Sequence, residues 1–220
     1  EILSHEECLR KLEKFADYPA LRAEQAALRK QGIYRGIGIS TVIELTNPSA
    51  AFYGVGGARI ASQDGATARL DPKGGVTVMV SVGEQGQGAE GIYAQIAADA
   101  VGVSIDKVKI VTGDTDVTPY GGGTWASRGA GIGGEAVLRA GQALRENILK
   151  LASAILSRDI STLTVREGNV VDSQTEELLI DFLELGRVGY FRSDTLPAGF
   201  TPELTVTRHY VPVSYTHLRA

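Results

Sequence analysis

Cysteine occurs once, as Cys8, in 220 residues. That excludes a disulfide framework and any iron–sulfur cluster ligated by cysteines of this chain. A lone thiol is consistent with a reducing compartment, and a cytoplasmic location is the expectation. The three histidines are isolated, so no His/Cys cluster with ligand spacing is present and no metal ligand is expected. Long apolar runs are absent too: stretches such as Val76 to Val82 fall far short of the ~20 residues that span a bilayer. Residues 1 to 14 alternate acids, bases and scattered apolar residues, without the pattern of a signal peptide. Basic excess is missing, since Lys+Arg 22 against Asp+Glu 26 leaves a formal charge of −4. Nucleic acid and anionic membranes are therefore not the expected partners, and an anionic ligand must be held by local geometry. The chain opens on Glu1 rather than Met, and the expectation is a piece of a longer protein. What is present, 43% hydrophobic and 22% charged residues, is the composition of a globular domain, not of a disordered, collagen-like or coiled-coil chain.

Apolar periodicity predicts helix over residues 4 to 31, broken near Pro19 and ended at Gly32. Ile33 to Leu45 reads as β-rich, and Gly54 to Gly57 as a flexible loop. Thr67–Leu70 and Val76–Val82 flank Asp71-Pro72-Lys73-Gly74-Gly75, a turn that predicts a hairpin. A helix is expected from Ala89 to Val101, a strand from Lys107 to Thr112, and the longest helix after Gly134, ending near Leu156. In that helix Val137, Gly141, Leu144, Ile148, Leu151 and Ile155 form one seam, each large member worth ~1.5–3 kcal/mol if buried. A small hairpin is predicted around Glu167-Gly168, a short helix over Leu178 to Leu185, a loop over Pro197 to Pro202 and a strand over Glu203 to Val211. The expected fold class is α+β, a mixed sheet with antiparallel hairpins, packed helices and glycine-rich loops at helix N-termini.

Fourteen of the 27 glycines fall between Gly83 and Gly141, on two loops that each feed a helix start. Glycine lets a backbone approach a ligand closely, and a helix N-terminus offers unpaired N–H groups to an electron-rich group. The first loop, Gly86-Gln87-Gly88-Ala89-Glu90-Gly91, satisfies G-x-G-x-x-G, the weak signature of a dinucleotide-binding module that would use Gly86, Gly88 and Gly91. The simpler alternative is that these glycines only turn the chain. Asp114 and Asp116 read as turn caps, Glu90 and Glu135 as acids favoured in a first helical turn, and Trp125 as either core or site.

The two loops together are more specific. Gly86-Gln87-Gly88, the helix after it, Asp114-Thr115-Asp116 and then Thr124-Trp125-Ala126-Ser127-Arg128 resemble the large subunit of the molybdenum hydroxylase family. That group includes xanthine dehydrogenase, aldehyde oxidase and carbon monoxide dehydrogenase. The run Thr118 to Arg128 is most similar to the carbon monoxide dehydrogenase-like branch, and the likeness covers about residues 20 to 210. It implies a second molybdopterin-binding domain over residues 1–211, with 212–220 a non-native tail. It implies that Gln87 and the neighbouring backbone of Gly86 and Gly88 contact the pterin near the metal, that Gly83 and Gln85 shape the loop, and that Thr124, Trp125, Ala126, Ser127 and Arg128 hold the pterin and its pyrophosphate, largely through main-chain N–H groups. Arg128 would add a charge-assisted contact to phosphate.

The implied cofactor is molybdopterin, including its cytosine dinucleotide form, with FAD and 2Fe–2S clusters on partner subunits or domains. The complete enzyme would oxidise a carbon centre of a small substrate, of the aldehyde, N-heterocycle or carbon monoxide class, with oxygen from water. The family's catalytic glutamate, in a Gly-x-Gly-Glu context, has no match here, nor has its channel-lining loop. No catalytic residue is named, and this stretch alone is expected to be inactive. Two other readings stand beside this one: a Rossmann-type module and a non-catalytic scaffold. An antiparallel hairpin at residues 67–82 is expected under the first reading, and parallel pairing of Val76–Val82 with Lys107–Thr112 under a Rossmann fold.

Overall fold

The computed structural model describes residues 5–42, 47–54, 57 and 59–212, in two compact units, Glu1–Ile43 and Glu44–Ala220. In the first unit α1 (His5–Phe15) and α2 (Tyr18–Lys30) are separated at Asp17. This residue turns left-handed at φ 47 and caps α2 by accepting from the Ala20 N–H. Pro19 lies inside the first turn of α2, where its missing N–H costs nothing, so the break precedes it. Gly32, at φ 78, leads out of the helix as expected. The β-rich reading of Ile33 to Leu45 is not realised over residues 33–42, which form no strand; apolar alternation needs a neighbouring strand to pair with. Residues 43–45 lie outside the described residues.

The second unit opens with α3 (Ala50–Gly54), so Gly54 closes a helical turn rather than starting a loop; residues 55 and 56 lie outside the described residues. Then β1 (Asp64–Leu70) and β2 (Val76–Val80) form the predicted hairpin, with Ala66 opposite Val80 and Leu70 opposite Val76. α4 (Ala89–Val101) follows, and β3 (Val108–Val111) pairs parallel to β2. α5 (Gly134–Leu156) leads to the hairpin β4 (Leu163–Arg166) and β5 (Asn169–Asp172). The short helix expected over Leu178 to Leu185 is instead β6 (Leu178–Asp181), antiparallel to β5, followed by α6 (Phe182–Phe191). Asp181 divides the two by capping α6, accepting from the Glu184 N–H at 2.8 Å. β7 (Thr205–Tyr210) returns to the free edge of β1.

The main sheet runs β3-β2-β1-β7 and the small one β4-β5-β6. Alternation sets the core: Ala66, Ala68 and Leu70 of β1 and Val76, Val78 and Val80 of β2 are all fully buried. They join Tyr93, Ala97 and Val101 of α4 and the seam Val137, Leu144, Ile148 and Leu151 of α5 in one cluster. Gly141 lets α5 close on α4, since a Cβ there would come 2.7 Å from that of Ala100.

The hairpin and the parallel crossover coexist, because β2 is interior and pairs on both sides. They are not the alternatives that the sequence suggests. One crossover inside a sheet whose other neighbours are antiparallel is not a doubly wound sheet, and the Rossmann reading is not supported. No described helix is long and apolar enough to cross a membrane. Residues 213–220, the greater part of the proposed tail, lie outside the described residues.

Candidate functional site

Parallel pairing of β2 and β3 places their carboxyl ends on one edge of the sheet, with Met79 opposite Val111. Both glycine loops leave from that edge, the position where ligands bind in sheets with crossover helices. Between them opens a cleft of about 480 Å³ whose wall includes Gln85, Gln87, Thr124, Trp125, Ala126, Ser127 and Arg128. The loops grip each other at its base: Thr124 Oγ1 donates to the Gly83 carbonyl at 2.5 Å, and Gln85 Nε2 reaches the Thr124 carbonyl at 3.4 Å. Tyr93 of α4 ties down the far end through its hydroxyl, which donates to the Gly129 carbonyl. Burial pushes that phenol well above its ordinary range.

Six of the eight residues singled out from sequence thus share one wall; Gly86 and Gly88 do not line it. Their amides are taken by a side chain of the same loop. Glu84 Oε1 accepts from the N–H groups of Gln85, Gly86 and Gly88 at 3.0, 2.7 and 3.2 Å, and Oε2 accepts from Glu90 N at 3.2 Å. The anion satisfying the start of α4 is therefore the chain's own carboxylate. These amide bonds, that from Glu90 first, hold the Glu84 carboxyl below its usual range. A carboxylate with a lowered folded-state pKa contributes order above its unfolded value and loses it as pH falls through the folded one. In a pH titration followed by NMR, the amide shifts of Gly86, Gly88 and Glu90 should share an inflection below the ordinary glutamate midpoint of ~4.3. Glu84→Gln should abolish it.

Gln87 is likewise held within its loop, its Oε1 accepting from Gln85 N at 2.6 Å and its Nε2 donating to the Gly83 carbonyl. Positive φ of 93 at Gly86 and 79 at Gly88 explains glycine at both positions, and a Cβ on either would meet no protein atom within 4 Å.

The second loop carries Ala126 and Ser127 successively at φ 47 and 49, a left-handed pair that side chains disfavour by ~1–2 kcal/mol each. Ala126→Gly should raise unfolding stability by about 0.5 kcal/mol, since relief of this strain exceeds the ~0.4–1 kcal/mol of added unfolded-chain freedom. A denaturant midpoint measures it. Asp114 caps its own turn, accepting from Asp116 N at 3.0 Å, as expected. Trp125 packs edge-on to Tyr53 at 5.5 Å and tilted to Phe52 at 5.9 Å, so its ring is partly core.

Arg128 departs from the reading that gives its side chain a phosphate. Its guanidinium is fully buried and paired with buried Asp64 at 2.6 Å. Nη1 donates to the Ala61 carbonyl and Nη2 to that of Gln63. Asp64 Oδ1 in turn accepts from Ser81 Oγ at 2.9 Å, Gly122 N at 2.9 Å and Gly123 N at 3.4 Å. Burial pushes this carboxyl up, against the opposing pull of Arg128 and the hydrogen bonds of Ser81 and Gly122. Asp64 carries no signal in the sequence, because nothing near it points to a partner 64 residues away.

Residues 11–218 match the model of the molybdopterin cofactor-binding domain. The chain is 32% identical over 197 residues to the nicotine 6-hydroxylase large subunit of Paenarthrobacter nicotinovorans, covering 90% of this chain and 24% of that protein. It is 29% identical to the carbon monoxide dehydrogenase large chain of Hydrogenophaga pseudoflava, over 95% of this chain and 26% of that one. Quinoline 2-oxidoreductase from Pseudomonas putida 86 superposes with a TM-score of 0.68 at 35% identity, over 95% of this chain and 26% of that chain. The chain spans about a quarter of the length of these relatives. It belongs to the molybdopterin cofactor-binding domain family.

Proposed function

We propose that this chain holds a molybdenum–pterin cofactor in the cleft between its two glycine loops, as part of a molybdenum hydroxylase large subunit. The observation carrying this reading is the convergence of Gln87 and Thr124–Arg128 on one cleft. The residues fit the group: two glutamines, a threonine and a serine stand at the wall, and the flanking Gly86, Gly88 and Gly123 have no protein atom within 4 Å of where a Cβ would stand. Trp125, a residue of the wall, has a buried Nε1 donor without a hydrogen-bond partner among the described residues, which marks a polar site rather than finished core. Gln85, Gln87, Thr124 and Ser127 would orient the pterin and its phosphate, with Gly86, Gly88, Trp125, Ala126 and Arg128 shaping the cradle around them. When bound, the group supplies two-electron oxidation of a carbon centre; the protein supplies orientation and hydrogen bonds.

The reading extends to the cytosine dinucleotide form, to FAD and 2Fe–2S carriers on an iron–sulfur small subunit and a flavin-binding medium subunit, and to a cytoplasmic enzyme. It extends also to a small substrate of the aldehyde, N-heterocycle or carbon monoxide class. Residues 1–211 are proposed as the cofactor-binding portion, with 212–220 as a non-native tail. Two relatives, a nicotine hydroxylase and a carbon monoxide dehydrogenase, support the general reaction without selecting the substrate.

Metal and pterin analysis of the purified full-length protein tests the proposal. One molybdenum and one pterin per chain is the expected result; a folded protein with neither overturns it. Gly88→Val should lower that content severalfold, because a β-branched residue is strained at the φ of 79 found there and its bulk enters the open side of the loop. Unchanged content in a folded variant counts against the cradle.

A further inference from the structure

Burying Asp64 and Arg128 together is costly, and a buried ion pair seldom adds stability over an apolar pair of similar size. Its placement suggests another use. Asp64 stands at the first residue of β1 and Arg128 at the end of the second loop. One carboxylate oxygen takes the amides of Gly122 and Gly123, and the other takes the guanidinium of Arg128. The four residues between these two grips, Thr124 to Ser127, all line the cleft. No slack exists on the inner side: a Cβ at Gly121 would strike Ser81 Oγ and Asp64 Oδ1, and one at Gly122 would strike Arg128 Nη1 and the Ala61 carbonyl.

We propose that Asp64 is a positioning residue, whose single carboxylate clamps both ends of the 122–128 segment to the sheet and so sets where the cleft wall formed by Thr124–Ser127 stands. This rests on the cleft being the cofactor site, and it assigns the arginine of the Ser-Arg pair to the scaffold rather than to phosphate. Ser81 contributes as the fourth donor, fixing the rotamer of the carboxylate from just beyond β2's end.

The test uses the full-length protein with Asp64→Leu/Arg128→Met, which removes the clamp without leaving a lone buried charge. Amide exchange is read at Gly122 and Gly123, and molybdenum and pterin are measured per folded chain. Exchange at Gly123 should quicken at least tenfold, and at Gly122, whose N–H also donates to the Gln63 carbonyl at 3.0 Å, by less, while Ala97 and Leu144 stay protected, and cofactor content should fall at least tenfold. Leu144→Ala, a core truncation on α5 that also lowers Tm, should keep content within twofold of the parent, which separates positioning from general loss of stability. Unaltered exchange at Gly122 and Gly123, or full cofactor content in the double variant, overturns the assignment. A parent protein without molybdenum or pterin would overturn the cofactor reading instead, and the exchange result would still decide the clamp. Should the double variant not fold, Ser81→Ala decides: it should lose bound pterin at least twofold faster than the parent, and an unchanged rate overturns the proposal.

Discussion

Arg128→Met should lower unfolding stability by about 3–5 kcal/mol, the usual result of removing one partner of a buried ion pair. The loss does not come from the missing attraction alone. Asp64 would remain at zero exposure with a charge that burial already disfavours, the Ala61 carbonyl would lose the Arg128 donor, and that of Gln63 would keep only the Gly122 N–H. The effect should depend on pH in a fixed direction. Arg128 is the main influence lowering the Asp64 pKa, so its removal raises the folded-state value further above the unfolded one. A carboxyl shifted this way stabilises the fold below its unfolded pKa and loses that contribution as pH rises through the folded value. The deficit against the parent should therefore shrink on acidification, for example from pH 8 to pH 5, as the buried carboxyl takes up its proton. Paired denaturant titrations at the two values check both the size and the sign; a deficit that grows on acidification would contradict the burial argument.

Gly122→Ala should cost about 3 kcal/mol, at the upper end for overpacking. The obstructing atoms are a buried guanidinium and a backbone carbonyl, and neither can move without breaking the Asp64–Arg128 pair. Gly123, one residue on, offers the opposite case. Its φ is 76 and nothing lies within 4 Å of an added Cβ, so Gly123→Ala should cost only about 0.5 kcal/mol, the ~1–2 kcal/mol of left-handed strain less the ~0.4–1 kcal/mol of reduced unfolded-chain freedom. Thermal or chemical unfolding of the two variants side by side should show the larger drop for Gly122. The reverse ranking would mean that conformational freedom, not crowding, selects glycine at 122.

What can be read from sequence is what local chemistry decides. Helices α4 and α5 and the hairpin at Glu167-Gly168 match their sequence boundaries, because a 3.6-residue stripe or a turn dipeptide is complete within a few residues. Leu178 to Leu185 misleads because a short apolar run fits strand and helix equally. Asp181, with Glu184 three residues on, is the sign of a helix start that the apolar run conceals. Ile33 to Val42 misleads for the converse reason, since strand character without a partner builds no strand. At the site, the resemblance groups Gln87 with Thr124–Arg128, which line one cleft, and only packing reveals what holds them. The motif makes Gly86 and Gly88 amide donors to a ligand, yet Glu84, two residues before Gly86, takes those donors. The resemblance gives Arg128 a phosphate contact, whereas the guanidinium is buried on Asp64; that partner on β1 is distant in sequence and carries no motif.

The two strands that launch the loops are adjacent rungs of one sheet, and adjacent strands lie about 4.8 Å apart whatever their side chains. The aperture at the root of the cleft is thus inherited from backbone hydrogen bonding, a dimension no point substitution can widen. Diversification of what such a cleft accommodates must come from loop length and from the side chains hung on the rims, while the gap between the rims stays constant.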